Sequence, residues 1–314
     1  MAEMVKKATR ESYGLALAEL GAQYPQVVVL DADLAEATKT IIFKKAYPNR
    51  FIDCGIAECN MVVVAAGLAT CGKIPFATTF AMFATGRAYE QVRNSVGYPH
   101  LNVKIVGSHA GISVGEDGAT HQCNEDLALM RTIPGMVVLN PSDHYEMKAA
   151  VKAAIEHYGP VYIRLGRLAV ESFNNSDDYK FEIGKGVTLR NGKDITIVAT
   201  GLMVSRALEA VKTLAEQGID ARLINIHTIK PIDRELLIKA AKETGKIITV
   251  EEHNVIGGLG DAVCGVLSEE CPTQVIKIGV NDVYGHSGPA LDLLDEFGLN
   301  AAHIIEVTKK ALNK

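Results

Sequence analysis

Short apolar runs alternate with segments of helical periodicity along most of the chain. Residues 27–30, 74–79 and 103–106 have the length and composition of buried strands. Around them the spacing of apolar residues predicts helices over 12–23, 57–71 and 87–96. Further strands are predicted over 137–139 and 161–165, with a helix between them in which Met147, Val151 and Ile155 recur at four-residue spacing. This alternation is typical of a parallel β-sheet covered by helices.

A polar stretch divides the chain into two such alternations. Residues 171–180 (ESFNNSDDYK) have no apolar period, and we expect a linker over 173–190. Beyond it, strands at 195–199, 221–226 and 247–251 alternate with helices at 205–216 and 234–244. The sequence therefore predicts an α/β protein with a parallel-sheet domain over 1–172 and a smaller α/β domain over 191–314.

Composition and charge narrow the class of protein. At 314 residues and 48% hydrophobic, the chain is long enough for two domains with buried cores. Its 32 basic and 37 acidic residues give a net charge of −5, which argues against nucleic-acid or membrane partners. No leader or membrane-spanning pattern is present, and none of the six cysteines forms a C-x-x-C pair. We expect a cytoplasmic protein with reduced thiols.

The richest candidate site is the stretch 107–122, GSHAGISVGEDGATHQ, which follows the predicted strand at 103–106. Its glycines disfavour a continuing helix, so its polar side chains are expected on a loop. His109, Glu116, Asp117, His121 and Gln122 would supply hydrogen-bonding groups for a polyhydroxylated substrate. The alternative is a glycine-rich turn with solvated histidines. Two histidines followed by Cys123 fit no zinc ligand spacing, so no metal site is predicted.

Six motifs in a fixed order resemble the transketolase family. They are DADLA (31–35), GIAECNM (55–61), TTFAMF (78–83), GEDGATHQ (115–122), NPSD (140–143) and VEEHNVIGGLG (250–260). The resemblance covers the C-terminal half of such an enzyme, its pyrimidine-binding domain and then its C-terminal domain. The upstream G-D-G motif and later asparagine that bind Mg²⁺ and thiamine diphosphate in the family do not occur here. The resemblance thus implies a split enzyme whose N-terminal partner subunit holds most of the Mg²⁺ site, associated as a heterotetramer.

The resemblance also assigns the cofactor-binding residues. Glu58, in the A-E-x-N pattern, corresponds to the glutamate that hydrogen-bonds the aminopyrimidine ring of thiamine diphosphate and starts catalysis. Phe80 and Phe83 would stack on that ring, and Asp33 would lie beside the cofactor. The ordinary alternatives are a first-turn helix carboxylate for Glu58 and plain core for the two phenylalanines.

The substrate residues follow from the same resemblance. His109 and His121 match histidines that contact the sugar and take part in catalysis, and Asp117 matches an aspartate that reads a hydroxyl beside the carbonyl. Arg10 and Arg167 match arginines that hold the sugar phosphate, although either is otherwise an ordinary surface arginine. Two positions depart from the family: Gly86 replaces an aromatic residue, and Ala37, followed by Thr38, replaces a serine near the phosphate.

The function implied is transfer of a two-carbon ketol unit from a ketose phosphate to an aldose phosphate, in the pentose phosphate pathway. Three alternatives stay open. The text around Arg87 is closer to 1-deoxyxylulose-5-phosphate synthase, which decarboxylates pyruvate. A 2-oxo-acid dehydrogenase β subunit is also a separate chain with these two domains. The third alternative is a non-catalytic relic that binds a partner.

Overall fold

The predicted apolar strands pair into two sheets in a computed structural model, which describes residues 5–174 and 179–313. The strands in chain order are β1 (Lys6–Ala8), β2 (Val27–Asp31), β3 (Phe51–Asp53), β4 (Ile74–Phe80), β5 (Lys104–Ser108), β6 (Val137–Leu139), β7 (Val161–Arg164), β8 (Ala169–Glu171), β9 (Val187–Arg190), β10 (Ile195–Ala199), β11 (Ala221–Asn225), β12 (Thr228–Lys230), β13 (Lys246–Asn254) and β14 (Gln274–Val280). The predicted α/β class with a parallel-rich sheet is confirmed.

Helices cover these two sheets, and β1 pairs with β8 in a separate two-stranded antiparallel sheet. They are α1 (Thr9–Leu20), α2 (Ala35–Thr38), α3 (Ile41–Ala46), α4 (Glu58–Thr70), α5 (Tyr89–Gln91), α6 (Asp126–Arg131), α7 (His144–Glu156), α8 (Met203–Glu216), α9 (Arg234–Thr244), α10 (Leu259–Glu270), α11 (Ala290–Glu296) and α12 (Ala301–Ala311). Sequence signals explain several boundaries. Asp143, for example, caps α7 by accepting a hydrogen bond from the Glu146 backbone N–H at 3.0 Å. No helix of the described residues is long and apolar enough to cross a membrane.

The first sheet has the strand order β12-β6-β7-β5-β4-β2-β3. Every pairing in it is parallel except that of β12 with β6. All residues of β2 and of β5 are buried, as expected for strands with helices on both faces. The register aligns Phe80 with Ser108 and Gly107 with Arg164, so neighbouring strands end at one edge.

The second sheet has the order β14-β13-β10-β11-β9, with β9 antiparallel to its neighbour. Strand β9 lies within residues 173–190, which the sequence predicted as linker, and its half-exposed residues explain why no apolar run marked it. Residues 175–178 of that predicted linker lie outside the described residues. The strand β12, from the second half of the chain, extends the first sheet instead of the second.

The segment predicted as a helix over 87–96 is interrupted by wider turns. Phe83–Arg87 and Val92–Gly97 are π-helical, and the backbone N–H of Ala88 accordingly bonds to the carbonyl of Phe83. Such turns insert one residue into a helical repeat and frequently lie at functional sites. Here the first of them immediately follows β4.

Candidate functional site

The candidate residues gather at one edge of the first sheet because four adjacent parallel strands end there. Asp33 follows β2, Phe83 follows β4, His109 follows β5 and Arg167 follows β7. Ligands of open α/β sheets bind at the carboxyl ends of the strands. The sequence order of these motifs therefore becomes a side-by-side arrangement in space.

Glu58 is the first residue of α4 and is only 2% exposed. Its two carboxylate oxygens accept hydrogen bonds from Nη1 of Arg87 at 3.3 and 3.2 Å. The guanidinium of Arg87 also lies 5.0 Å from the centre of the Phe83 ring, and its side chain is 54% exposed. The π-turn that begins at Phe83 thus presents a cation to both the carboxylate and an aromatic face.

Two phenylalanines and two histidines form an aromatic cluster beside this ion pair. Phe80 and Phe83 are stacked with a 9° interplanar angle and ring centres 6.0 Å apart. His109 stacks on Phe80 at 4.1 Å, whereas His121 meets Phe83 edge-on at 5.3 Å. The tertiary structure thus brings together residues from β4, the π-turn and the 107–122 loop.

His109 is buried and has a left-handed backbone conformation, with φ of +57°. Burial, together with the charges of Arg10, Arg167 and Lys39, lowers the pKa of His109 to about 3. The imidazole is therefore neutral, with Nε2 placed to accept from Arg10 Nη1 at 3.4 Å and Nδ1 2.8 Å from the hydroxyl of Ser108. A neutral ring surrounded by cations suits an uncharged sugar end next to an anionic group.

Arg10 is tied to the position where the sequence departs from the family pattern. Its Nη1 donates to the carbonyl oxygen of Ala37 at 2.7 Å. The hydroxyl of Thr38 does not replace the missing serine, because it donates to the buried carboxylate of Asp31 at 2.8 Å. The alanine thus leaves a backbone carbonyl, and no hydroxyl, next to Arg10.

Arg167 contacts the 107–122 loop directly. Its Nη1 donates to the carbonyl of Val114 and to the carboxylate of Glu116, the latter at 2.5 Å. A side chain at Gly115 would start 2.9 Å from that same nitrogen, so the glycine, with φ of +82°, lets the guanidinium approach the backbone. The charges of Arg10 and Arg167 each lower the pKa of His109, which marks them as parts of one cationic cluster.

Two predicted residues lie outside these contacts. Asp33 is exposed, with φ of +62°, and Asp117 is exposed near the end of the turn at 112–117. Within residues 5–174 and 179–313, no hydrogen bond or ion pair joins Asp117 to His109. The assignments of Asp33 to a cofactor and of Asp117 to a sugar hydroxyl stay predictions.

Sequence reasoning missed three residues of the site. No role was assigned to Arg87 from the sequence, although its position four residues after Phe83 is a signal for a cation over the ring. Lys39 has φ of +70° after α2, and its charge reaches His109. Glu252 served only as part of a family motif, yet its carboxylate bonds the backbone of the 107–122 loop at Ser113.

The residues present fit the aminopyrimidine end of thiamine diphosphate. The stacked phenylalanines offer an aromatic face, and the nearly buried Glu58 offers a carboxylate for a ring nitrogen. Arg87 contacts both Glu58 and Phe83, so the carboxylate and the aromatic face lie side by side. Across the described ranges, no three His, Cys, Asp or Glu side chains are grouped to hold a metal ion.

Comparisons with known proteins match nearly the whole chain. The family model for the transketolase pyrimidine-binding domain matches residues 5–172, and that for the transketolase C-terminal domain matches 184–304. A Methanocaldococcus jannaschii protein, provisionally described as a transketolase C-terminal section, is 51% identical over 98% of both chains. The 6-deoxy-6-sulfo-D-fructose transketolase subunit SqwH of Clostridium sp. is 45% identical over 96% of this chain and 94% of that protein. A solved structure titled "Split gene transketolase, inactive beta4 tetramer" is 56% identical with a TM-score of 0.91, covering 98% of this chain and 99% of that one.

Proposed function

The chain belongs to the transketolase family as the C-terminal subunit of a thiamine-diphosphate-dependent enzyme, and from that premise we propose the reaction and its partner. The subunit transfers a two-carbon ketol unit from a ketose phosphate to an aldose phosphate. It does so together with a separate N-terminal subunit that holds the diphosphate and its Mg²⁺, in a heterotetramer. The reaction belongs to cytoplasmic carbohydrate metabolism, in the pentose phosphate pathway.

One observation carries this proposal: three features lie side by side at one edge of the first sheet. They are the Glu58 carboxylate, the aromatic wall of Phe80 and Phe83, and the cationic cluster around His109. Glu58 joins the wall through Arg87, and the wall joins the cationic cluster through His109, which stacks on Phe80 and bonds Arg10. A thiamine enzyme acting on sugar phosphates needs these three parts at adjacent positions.

If thiamine diphosphate were bound, the carboxylate of Glu58 would share a proton with the aminopyrimidine ring, and its contact with Arg87 would orient that carboxylate. Thiamine diphosphate, when bound, supplies the carbon nucleophile that accepts the two-carbon unit. Phe80 and Phe83 would orient the ring and exclude water from its face. Each of these roles belongs to a side chain already in place in the isolated subunit.

The sugar binds along the 107–122 loop. Neutral His109 accepts or donates hydrogen bonds to hydroxyls, and His121 lies beside the aromatic wall to contact the same end of the sugar. Arg10 and Arg167 hold the anionic end, since guanidinium groups bind tetrahedral oxyanions through paired hydrogen bonds, and the ammonium of Lys39 adds a further positive charge. The relative named for a sulfonated fructose indicates that the family accommodates other terminal oxyanions.

Reconstitution tests the proposal. The isolated chain should bind little thiamine diphosphate and transfer no ketol unit, whereas mixing with the N-terminal subunit should restore transfer from xylulose 5-phosphate. Robust turnover by this chain alone would refute the split-enzyme proposal. Pyruvate as the only productive donor would instead favour the deoxyxylulose-phosphate synthase alternative.

Replacement of Glu58 tests the catalytic assignment within that mixture. Glu58→Gln keeps the shape of the side chain but removes its charge, so turnover should fall by at least about a hundredfold, within the usual contribution of a positioned acid–base group. Exchange of the thiazolium proton, followed by NMR, should slow in parallel. Near-normal exchange would show that Glu58 does not act on the cofactor.

A further inference from the structure

The 107–122 loop is folded against the second domain, although its residues belong to the first. The backbone N–H of Ser113 donates to the Glu252 carboxylate at 2.7 Å. The side-chain amide of Gln122 donates to the carbonyl of His286 at 2.9 Å. A side chain at Gly118 would start 2.4 Å from the hydroxyl of Ser287. The loop that carries His109, Asp117 and His121 therefore takes part of its shape from the second domain.

Glu252 makes the most buried of these contacts. It lies in β13, is 3% exposed, and its side chain fills the space beside Gly111. Gly111 has φ of +82°, and a Cβ there would start 2.4 Å from Oε1 of Glu252. The chain can thus bend two residues after His109 only because a glycine stands against the carboxylate.

The neighbours of Glu252 fix its carboxylate in position. Burial raises the pKa of Glu252, but Arg164 and the Ser113 N–H act in the opposite direction. Arg164 itself donates to the carbonyl of Glu252 at 2.8 Å and pairs with Asp126 at 2.8 Å. A buried carboxylate is costly to leave unpaired, so this arrangement holds the loop and the second domain in one relative position.

We propose that Glu252 is a positioning residue of the sugar site, through which the second domain takes part in substrate recognition. The proposal rests on the proposed function. By fixing the path of Gly111–Ser113, Glu252 sets the left-handed turn at His109 and hence the placement of its imidazole against Phe80 and Arg10. It touches neither Glu58 nor the phenylalanine wall, so its effect should fall on the sugar and spare the cofactor.

The neighbouring residue Glu251 provides a matched control. It lies on the same strand, is 1% exposed, and accepts hydrogen bonds from the backbone N–H groups of Leu259 at 2.6 Å and Gly260 at 2.8 Å. Those groups begin α10 of its own domain. Glu251 is thus a carboxylate as buried as Glu252, but its hydrogen bonds go to α10 and not to the 107–122 loop. Loss of Glu251 should therefore disturb the second domain and leave the loop unchanged.

Kinetics of the reconstituted pair give the first test. Glu252→Ala should raise KM for the sugar phosphate about tenfold or more while exchange of the thiazolium proton stays within twofold. Glu252→Gln should recover most of this loss, because its amide oxygen still accepts from Ser113. Glu251→Ala should leave KM within twofold. Equal KM values for the two alanine variants, or proton exchange falling together with kcat/KM, would overturn the proposal.

Hydrogen exchange of the isolated chain gives a second test that does not depend on activity. Glu252→Ala should raise amide exchange over 109–118, whereas Glu251→Ala should raise it over 259–270. If Glu252→Ala does not fold, Glu252→Asp, which retracts the carboxylate by one methylene, should show the same loop effect. Unchanged exchange over 109–118 in the folded Glu252 variants overturns the proposal. A wild-type pair inactive on all sugar phosphates refutes the proposed function, and this exchange result still decides the role of Glu252.

Discussion

The ion pair between Arg87 and Glu58 should couple the stability of the isolated chain to the residue assigned to catalysis. Replacing Arg87 with Met keeps the apolar stem over the Phe83 ring but leaves the carboxylate of Glu58, only 3% exposed in its side chain, without a counter-charge. Glu58→Gln removes the charge from the other side. Because the two changes act on one interaction, their effects on the free energy of unfolding should not add.

The magnitude follows from the geometry. At 3.2 Å, Coulomb's law gives about 5 kcal/mol for an effective dielectric constant of ~20 and about 1 kcal/mol for that of water. Since half of the Arg87 side chain is exposed, solvent screens the pair, and we expect a coupling energy of about 1–2 kcal/mol. Arg87→Met alone should destabilise the chain by a similar amount, and less so when Glu58→Gln is already present.

Urea unfolding of the wild type, both single variants and the double variant measures this coupling. The exposed pair of Arg234 and Glu269, 2.8 Å apart, is the control, and its double-mutant cycle should give a smaller coupling because solvent screens both charges. A coupling at Arg87 and Glu58 no larger than at this control pair would refute the reasoning. It would mean that the carboxylate is solvated or held by another group in solution.

Two further predictions concern the sugar site. Arg167→Ala in the reconstituted pair should raise KM for phosphorylated acceptors more than it lowers kcat, and should raise KM far less for unphosphorylated acceptors. An Arg167 variant equally impaired on both acceptors contradicts the phosphate assignment. Asp117→Ala should instead weaken discrimination between epimers. His109 has a folded-state pKa of about 3, below its unfolded value of about 6.5, so its contribution to stability is complete above pH 6.5 and is lost as the pH falls toward 3. The free energy of unfolding, measured with urea, should therefore fall less between pH 6.5 and 4 in His109→Gln than in the wild type, by up to roughly 3 kcal/mol. Equal losses in the variant and the wild type would contradict a buried, neutral histidine.

Local pattern was sufficient for the central strands. The runs at 27–30, 74–79 and 103–106 were found because residues buried on both faces of a parallel sheet form continuous apolar stretches. Edge strands carry no such signal. Strand β9 is half-exposed and was interpreted as linker, and the short β12 joins the first sheet from the second half of the chain. Pairings of this kind depend on long-range packing, which periodicity does not encode.

The sequence by itself determined the fold class and the family, because buried strands form apolar runs and the family motifs stand directly after them. What only the tertiary structure decided are the partnerships between distant residues. Arg87 lies 29 residues from Glu58, and Glu252 lies 139 residues from Ser113, so no local spacing relates them. Thr38 likewise had the chemistry of the missing serine, but Asp31 holds its hydroxyl. Chemistry of this kind is set by which side chains the packed sheet edge and the second domain bring within hydrogen-bond distance, and that distance exists only in the folded chain.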